Sequence, residues 1–382
     1  MIPYGRQNVS AEDVQAVVDV LQSDFLTQGP VVPAFEQALA ELTGARHAVA
    51  VNSATSALHV ACQAIGLGPG DLLWTVPNTF LASANCARYC GADVGFVDID
   101  PGTWNMSATA LAQRLAEAER AGRLPKVVVP VAFGGQSCDM RAIKALADRY
   151  GFAVIEDASH AVGAAYASRP VGCGEFADIT VFSFHPVKIV TTAEGGMAMT
   201  QDDRLATRMQ LFRSHGMTRD AALMEGANEG GWYYEQIELG YNYRMTELQA
   251  ALGLSQLKRL QQFVARRHEI AARYAALLDG LPLDTQEVLA GAHSALHLFP
   301  VHLHDTQRRR AVFDALRAAG IGVNVHYIPV HLQPYYRRLG FKPGDFPNAE
   351  AYYAGAITLP MYPDLTEGQQ DHVVDSLKEA LR

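Results

Sequence analysis

The sequence lacks the residue patterns of a metal site and of a disulfide framework. Its five cysteines form no CxxC pair and no Cys/His ligand spacing, and its 13 histidines form no HExxH motif. Because the cysteines are scattered and odd in number, we expect free thiols in a reducing compartment. The sequence therefore predicts neither a bound metal nor a disulfide.

Positive charge and long apolar runs are also scarce. The 31 Lys and Arg residues against 40 Asp and Glu give a formal net charge of −9, which argues against nucleic acid or an acidic membrane as a partner. No segment reaches the roughly 18 uninterrupted apolar residues that span a bilayer. The N-terminal MIPYGRQNVSAEDV has no basic stretch followed by an apolar run. We therefore expect a cytoplasmic protein without a membrane partner.

What the sequence does contain is a regular alternation of short β-branched runs and helical patterns between about residues 10 and 200. This alternation is typical of βα units that build a mostly parallel sheet. The seven strand candidates are residues 48–51, 72–76, 95–99, 127–131, 153–157, 179–184 and 196–200.

The alternation of strand and helix patterns gives way to a longer helical pattern near residue 250. Apolar residues recur at intervals of three and four from about Thr246 to Leu278, which predicts one long inter-domain helix. Further strand and helix patterns follow it. The sequence thus predicts an α/β fold with a large domain (1–250), built on a mostly parallel seven-stranded sheet. Residues 251–382 would form the inter-domain helix and a smaller C-terminal α/β domain.

Two charged residues stand where ligands are expected. Asp157, in EDASHA (156–161), ends an apolar strand at the sheet edge where parallel sheets bind ligands. There it can keep the ring nitrogen of pyridoxal 5'-phosphate (PLP) protonated, or it can cap the following turn. Lys188 is the one lysine of FSFHPVKIVTTAEGGM (182–197), and burial would lower its pKa and prepare the amine to form an imine. The alternative is a surface lysine in a loop.

A small-residue helix start supplies a candidate anion site. The segment NSATSALHVACQAIGL (52–67) follows a strand, and helix N–H groups with the hydroxyls of Thr55 and Ser56 form a phosphate cradle. Ser183, five residues before Lys188, is placed to reach the same phosphate. Ordinary helix capping by Ser and Thr remains the alternative, because GxxxxGK[ST] and GxGxxG are both absent.

Two further segments carry candidate ligand contacts. Phe80, in VPNTFLASAN (76–85), can stack on an aromatic cofactor ring or can be a core aromatic. The segment GYNYRMTELQAAL (240–252) opens the long helix with Asn242 and Arg244, which we expect to face a phosphate, in this or a neighbouring subunit.

Taken in order, NSATSAL, EDASHA, SFHPVK followed by TTAEGG, and GYNYRMTELQAA resemble the DegT/StrS family of sugar aminotransferases over nearly the whole chain. The resemblance implies a type I PLP-dependent aminotransferase fold with PLP as cofactor. Residues 23–30, 212–217 and 325–336 resemble the members that aminate C4 of UDP-2-acetamido-2,6-dideoxy-β-L-arabino-hex-4-ulose in pseudaminic acid biosynthesis. L-Glutamate is the amino donor that this implies, in a ping-pong cycle.

The same resemblance implies roles for individual residues. Lys188 would bind PLP covalently, Asp157 would pair with the pyridine nitrogen, and Asn242 would reach the phosphate bound by the other subunit of a homodimer. His160 would lie near the cofactor or serve packing. The implied cofactor contacts are Ala54, Thr55, Ser56, Phe80, Asp157, His160, Ser183, Lys188 and Asn242. The implied substrate contacts are Tyr4, Asp24, Phe25, Leu26, Thr27, Ala54, Ser183, Asn242, His326 and Tyr327.

Two alternatives remain open at this point. A related aminotransferase could act on another UDP-, dTDP- or GDP-linked 4-keto-sugar, because sugar choice depends on loops. A non-catalytic PLP-fold protein of regulation or assembly is the alternative of another class. Some family members carry His at the lysine position and act as dehydrases, so Lys188 favours transamination.

Overall fold

A computed structural model describes every residue of the chain, from 1 to 382. Its strands are β1 (His47–Val51), β2 (Leu72–Thr75), β3 (Asp93–Phe96), β4 (Val127–Val129), β5 (Ala153–Asp157), β6 (Ala165–Tyr166), β7 (Arg169–Pro170), β8 (Ile179–Ser183), β9 (Gly196–Thr200), β10 (Met217–Thr218), β11 (Glu235–Gln236), β12 (Leu283–Thr285), β13 (Ala292–His293), β14 (Phe299–Leu303) and β15 (Ala356–Leu359).

The helices alternate with these strands in the first half of the chain and predominate in the second. They are α1 (Ala11–Leu21), α2 (Val31–Thr43), α3 (Ala54–Ile65), α4 (Ala82–Tyr89), α5 (Ala108–Arg120), α6 (Met140–Tyr150), α7 (Asp203–Arg213), α8 (Glu247–Leu257), α9 (Leu260–Leu278), α10 (Arg309–Ala318), α11 (Pro334–Arg337), α12 (Pro347–Gly355) and α13 (Glu367–Leu381).

The central sheet has seven strands in the order β1-β9-β8-β5-β4-β2-β3. The five strands from β8 to β3 are parallel, and β9 runs antiparallel to both β8 and β1. This confirms the predicted α/β fold and its mostly parallel seven-stranded sheet. β9 reverses direction because the segment between β8 and β9 contains no crossover helix, which a parallel connection requires. That segment carries Lys188 and holds it at the carboxyl end of β8.

The predicted long helix is two helices rather than one. α8 ends at Leu257, and α9 begins at Leu260. Between them, Arg259 leaves the helical conformation (φ −106°, ψ 3°), and its guanidinium forms an ion pair with the fully buried Asp13 in the first turn of α1. The chain therefore turns where a distant carboxylate holds the arginine, a contact that local periodicity does not encode.

Two large hydrophobic clusters surround the central sheet, and a third lies apart from them. The third has 18 buried residues, all between Ile270 and Leu377, and it packs α9, α10 and α13 against β14 and β15. The division into residues 1–250 and 251–382 stays a prediction.

The structure also describes the state of the cysteines and the length of the helices. All five cysteines are free thiols, and four of them are buried. None of the helices combines the length and the apolar composition that crossing a bilayer requires.

Candidate active site

A cavity of about 620 Å³ opens at the carboxyl ends of the parallel strands, a size within the range of small-molecule sites. Most of the residues singled out from the sequence line it, although they come from both halves of the chain. These residues are Tyr4, Ala54, Thr55, Phe80, Asp157, His160, Ser183, Lys188, His326 and Tyr327.

The remaining candidates lie outside the wall of this cavity. Ser56 is buried behind it and donates its hydroxyl to Asn52 Oδ1 (2.7 Å). Asn242 forms an isolated β-bridge with Ser214, away from the cavity. Residues 24–27 are exposed on the surface of the single chain. The roles expected for all of these residues stay predictions.

The start of α3 has the small residues and unpaired helix N–H groups of the predicted anion cradle. Ser53 caps the helix by accepting a hydrogen bond from Ser56 N–H. The N–H groups of Ala54 and Thr55 have no helical partner, because they lie in the first turn. A Cβ at Gly196 would lie 2.6 Å from both Ala54 N and the Ser53 carbonyl. Glycine at this position therefore allows the helix start to rest directly on β9. The hydroxyl of Ser183, at the end of β8, faces the same cavity.

Asp157 is a buried carboxylate held by hydroxyl groups rather than by a cation. Its Oδ2 accepts a hydrogen bond from Ser83 Oγ (2.6 Å). Its Oδ1 accepts from Ser159 Oγ (2.5 Å) and from Ser159 N–H (3.1 Å). Thr79 in turn bonds Ser83 (2.8 Å between the hydroxyl oxygens). The carboxylate is thus fixed at the cavity wall, ready to pair with a cationic group of a ligand.

Lys188 brings an amine into the same cavity. Burial disfavours its charged form and lowers its pKa from 10.5 to about 8, although the negative charge of Asp157 acts in the opposite direction. The amine makes no hydrogen bond to the protein, and it is half-buried at the cavity wall. A neutral amine is therefore accessible close to neutral pH, which is the state that attacks a carbonyl.

Histidines and a tyrosine form the wall contributed by the C-terminal half and the turn after β5. His160 Nε2 and Tyr327 Oη lie 3.1 Å apart, and the His297 ring lies 4.6 Å from that of His160. Burial and the charge of Lys188 lower the pKa of His160 and of His297, and they lower that of His326 to about 3. These imidazoles are therefore neutral, and His160 and His297 each leave Nδ1 buried without a partner.

Phe80 lies at the mouth of the cavity with 59% of its surface exposed. Its ring is 6.3 Å from that of Tyr327 and tilted by 56°. An exposed aromatic ring at a cavity mouth is free to stack on a bound ring, whereas a core aromatic would be buried.

Sequence reasoning missed several residues of the site. Ser83 and Ser159 hold Asp157, and His297 belongs to the histidine wall. Ser159, two residues after Asp157, could have been found from the local turn pattern of Asp and Ser. Ser83 and His297 meet the site only through the sheet order and the packing of the C-terminal half, so no local signal marks them.

The donor and acceptor groups of the cavity suit a phosphorylated, nitrogen-containing aromatic ligand. Free helix N–H groups with Thr55 and Ser183 hydroxyls offer donors to a phosphate, and Asp157 offers a charge to a protonated ring nitrogen. Lys188 lies in the same cavity, with its amine unpaired. The residues present therefore fit PLP.

Comparison with known proteins gives a family match. The model of the DegT/DnrJ/EryC1/StrS aminotransferase family matches residues 7–378. The spore coat polysaccharide biosynthesis protein SpsC of Bacillus subtilis is 42% identical over 387 aligned residues, which cover 100% of this chain and 97% of SpsC.

Solved structures match over the full length as well. PseC of Helicobacter pylori, an aminotransferase involved in the biosynthesis of pseudoaminic acid, is 32% identical with a TM-score of 0.91, covering 100% of this chain and 99% of PseC. The putative sugar aminotransferase Spr1654 of Streptococcus pneumoniae, solved in a PMP form, is 30% identical with a TM-score of 0.91, again covering 100% and 99%. A PLP form of Spr1654 matches similarly, at 29% identity and a TM-score of 0.90, covering 100% of this chain and 98% of that one.

Proposed function

The chain belongs to the DegT/DnrJ/EryC1/StrS aminotransferase family, and from this premise we propose that it aminates a nucleotide-linked keto-sugar. It is a PLP-dependent sugar aminotransferase with the type I aminotransferase fold. The proposed reaction moves the amino group of L-glutamate to C4 of the UDP-linked 4-keto-6-deoxy-N-acetyl-hexosamine UDP-2-acetamido-2,6-dideoxy-β-L-arabino-hex-4-ulose. The observation that supports this choice of substrate is the full-length similarity to PseC, an aminotransferase involved in pseudoaminic acid biosynthesis.

The residues proposed to hold PLP come from several elements around the cavity. Ala54, Thr55 and Ser183, with Ser56 close behind, would bind its phosphate, because a helix start offers unpaired donors to an anion. Phe80 would stack on the ring, and His160 would lie beside it. Asn242 of the partner subunit would complete the phosphate site.

Asp157 and Lys188 carry the proposed chemistry. When bound, PLP supplies an electron-poor ring that stabilises negative charge at the carbon bearing the transferred amine. Asp157, held by Ser83 and Ser159, would keep the ring nitrogen protonated by charge pairing. Lys188, with its pKa lowered to about 8, would hold the cofactor and then move a proton at the reacting carbon near neutral pH.

The sugar nucleotide is proposed to occupy the outer part of the cavity. Tyr4, His326 and Tyr327 line the cavity, and their neutral side chains can contact sugar hydroxyl and amide groups without repelling a substrate. The surface residues Asp24, Phe25, Leu26 and Thr27 would border the nucleotide once a second subunit covers them.

We propose a homodimer with shared active sites. Phe25 and Leu26 expose 53% and 49% of their surface, so the segment that contains them presents apolar area for a partner. The five free thiols fit the proposed cytoplasmic location, where thiols stay reduced.

Amination of a different UDP-, dTDP- or GDP-linked 4-keto-sugar is the second candidate. The observation that favours it is the 42% identity to SpsC, whose name refers to spore coat polysaccharide rather than to pseudoaminic acid. A non-catalytic role has no comparable support, because the cavity contains both Asp157 and Lys188.

A panel of acceptors tests the substrate. The holoenzyme with L-glutamate is offered the proposed UDP-sugar, a UDP-4-keto-pentose, and dTDP- and GDP-linked 4-keto-6-deoxy-hexoses, and 2-oxoglutarate release is measured for each. We expect kcat/KM for the proposed sugar to exceed that for the others by at least about tenfold, or about 1.4 kcal/mol. A higher kcat/KM for another sugar would establish the second candidate function. If no acceptor led to release of 2-oxoglutarate, both candidate functions would be contradicted.

A further inference from the structure

A second cavity, of about 510 Å³, lies at the free edge of the central sheet. Strands β2 and β3, helix α5 and the segment containing Leu339 and Phe341 form its wall, and we call it the edge cavity. It shares no residue with the active-site cavity. The transamination reaction therefore does not account for its side chains.

Arg114 is the central side chain of the edge cavity. Its guanidinium carbon lies 4.5 Å from the centre of the Trp74 ring, so the cation stacks on the indole. Burial lowers the pKa of Arg114, whereas the negative charge of Glu117 acts in the opposite direction. The guanidinium donates no hydrogen bond to the protein and forms no ion pair. No protein acceptor therefore competes with a ligand for its N–H groups.

A glycine gives the stacked pair its position. A Cβ at Gly95 would lie 2.7 Å from Trp74 Cδ1 and 3.0 Å from Arg114 Nη2, so only glycine lets both side chains lie against β3. Trp74 Nε1–H is buried without an acceptor in the protein.

The remaining charges of the edge cavity leave it positive. Arg88 and Arg123 both bind Asp93, with N–O distances of 3.3 Å and 3.0 Å, so two cations share one carboxylate. Arg114 adds a third cation, and Glu117 is the only other acidic residue of the wall. This surplus stands out in a chain whose net charge is −9.

We propose that the edge cavity binds a small organic anion that joins a carboxylate or phosphate group to a flat ring. The anionic group would accept hydrogen bonds from Arg114, whose planar donor fork matches carboxylate and phosphate oxygens. The ring would lie against the apolar side chains of Leu339 and Phe341. The site is distinct from the active site, so its occupancy is independent of the proposed reaction.

Calorimetric titration of the holoenzyme tests this site. The probes are AMP for the phosphate class and benzoate for the carboxylate class, with neutral adenosine as the matched control. We expect saturable binding of at least one anion and none of adenosine. Arg114→Gln should weaken that binding by roughly tenfold or more, because a charge-assisted hydrogen bond is lost.

Arg120→Gln is the matched control variant. Arg120 lies on the same helix α5, is exposed, and lines no part of the edge cavity, so its replacement should leave the affinity unchanged. Binding of AMP alone would place the ligand in the phosphate class, and binding of benzoate alone would place it in the carboxylate class. The proposal is overturned if neither anion binds, or if Arg114→Gln binds whichever anion is bound as tightly as the unaltered protein does.

Discussion

At the scale of single residues, the proposed chemistry depends on the surroundings of two ionisable groups, Asp157 and Lys188. Asp157 is buried and accepts three hydrogen bonds from Ser83 and Ser159. Lys188 is desolvated without a bonded counter-ion, so its charged form is disfavoured. One cavity thus contains a hydrogen-bonded carboxyl group and a readily neutralised amine, which is the combination that the proposed transamination needs.

The lowered pKa of Lys188 predicts how covalent capture of PLP depends on pH. Only the neutral amine attacks, so the rate at which the apoenzyme captures PLP should rise with pH and level off above about 8. Stopped-flow absorbance at saturating PLP measures this rate, normalised to the reaction of PLP with a simple alkylamine. Asp157→Asn should lower the midpoint, because Asp157 raises the pKa of Lys188. A rate that still climbs steeply at about pH 10 would indicate an ordinary lysine.

Ser83 is predicted to act through Asp157. Ser83→Ala removes a 2.6 Å hydrogen bond to a buried carboxylate and should raise the Kd of PLP by roughly tenfold. Equilibrium dialysis of the apoenzyme measures this Kd. The matched control is Ser107→Ala, which removes the N-cap of α5 away from the cavity. It should lower stability by about 1 kcal/mol without changing PLP affinity. Equal effects of both variants on PLP affinity would assign Ser83 a general structural role.

The residues of the site that the sequence indicated are those whose surroundings along the chain are unusual. Asp157 follows a fully apolar strand, and Lys188 stands in a stretch of small and apolar residues, so both could be selected without knowing the fold. Ser83 and His297 could not, because their contacts with Asp157 and His160 join residues more than 70 positions apart.

At the scale of elements, the close packing of α3 on β9 positions the proposed anion cradle. Gly196→Ala would put a Cβ 2.6 Å from Ala54 N, so the helix start must move away. We expect a loss of about 1–3 kcal/mol in the free energy of unfolding, together with weaker PLP binding. Denaturant unfolding and PLP dialysis measure the two effects.

Gly68→Ala is the control for this substitution. A Cβ at Gly68 meets nothing within 4 Å, so that variant should keep both stability and PLP affinity. If Gly196→Ala binds PLP as tightly as the unaltered protein, the α3 start does not hold the phosphate.

Most elements of the central sheet could be predicted because buried parallel strands are continuous apolar runs with β-branched residues. The predicted strands at 153–157 and 196–200 coincide with β5 and β9. The predicted strand at 95–99 overlaps β3 but begins two residues after the start of β3. The antiparallel direction of β9 and the break before α9 were not predicted. The break before α9 depends on a contact between distant parts of the chain, because Arg259 and Asp13 lie 246 positions apart. The direction of β9 follows from the absence of a helix between β8 and β9, which strand patterns alone do not report.

At the scale of the whole molecule, the proposed shared active site predicts complementation between inactive subunits. Lys188→Ala and Asn242→Ala homodimers should each have strongly reduced activity. After random subunit exchange, half of the dimers are mixed, and each mixed dimer holds one unaltered site. The mixture should therefore regain about a quarter of the normal activity, measured as 2-oxoglutarate release. No regain after verified exchange would place Asn242 outside the partner's site.

The most direct test of the central claim is the visible absorbance spectrum of the PLP-loaded enzyme through both half-reactions. L-Glutamate should remove the absorbance band of the bound cofactor, and the UDP-linked 4-keto-sugar should restore it. Lys188→Ala should slow both changes by a factor on the order of 10² to 10⁴, because the group that moves the proton is lost. Spectra that do not respond to glutamate, or a Lys188→Ala protein that cycles at the normal rate, would contradict the account.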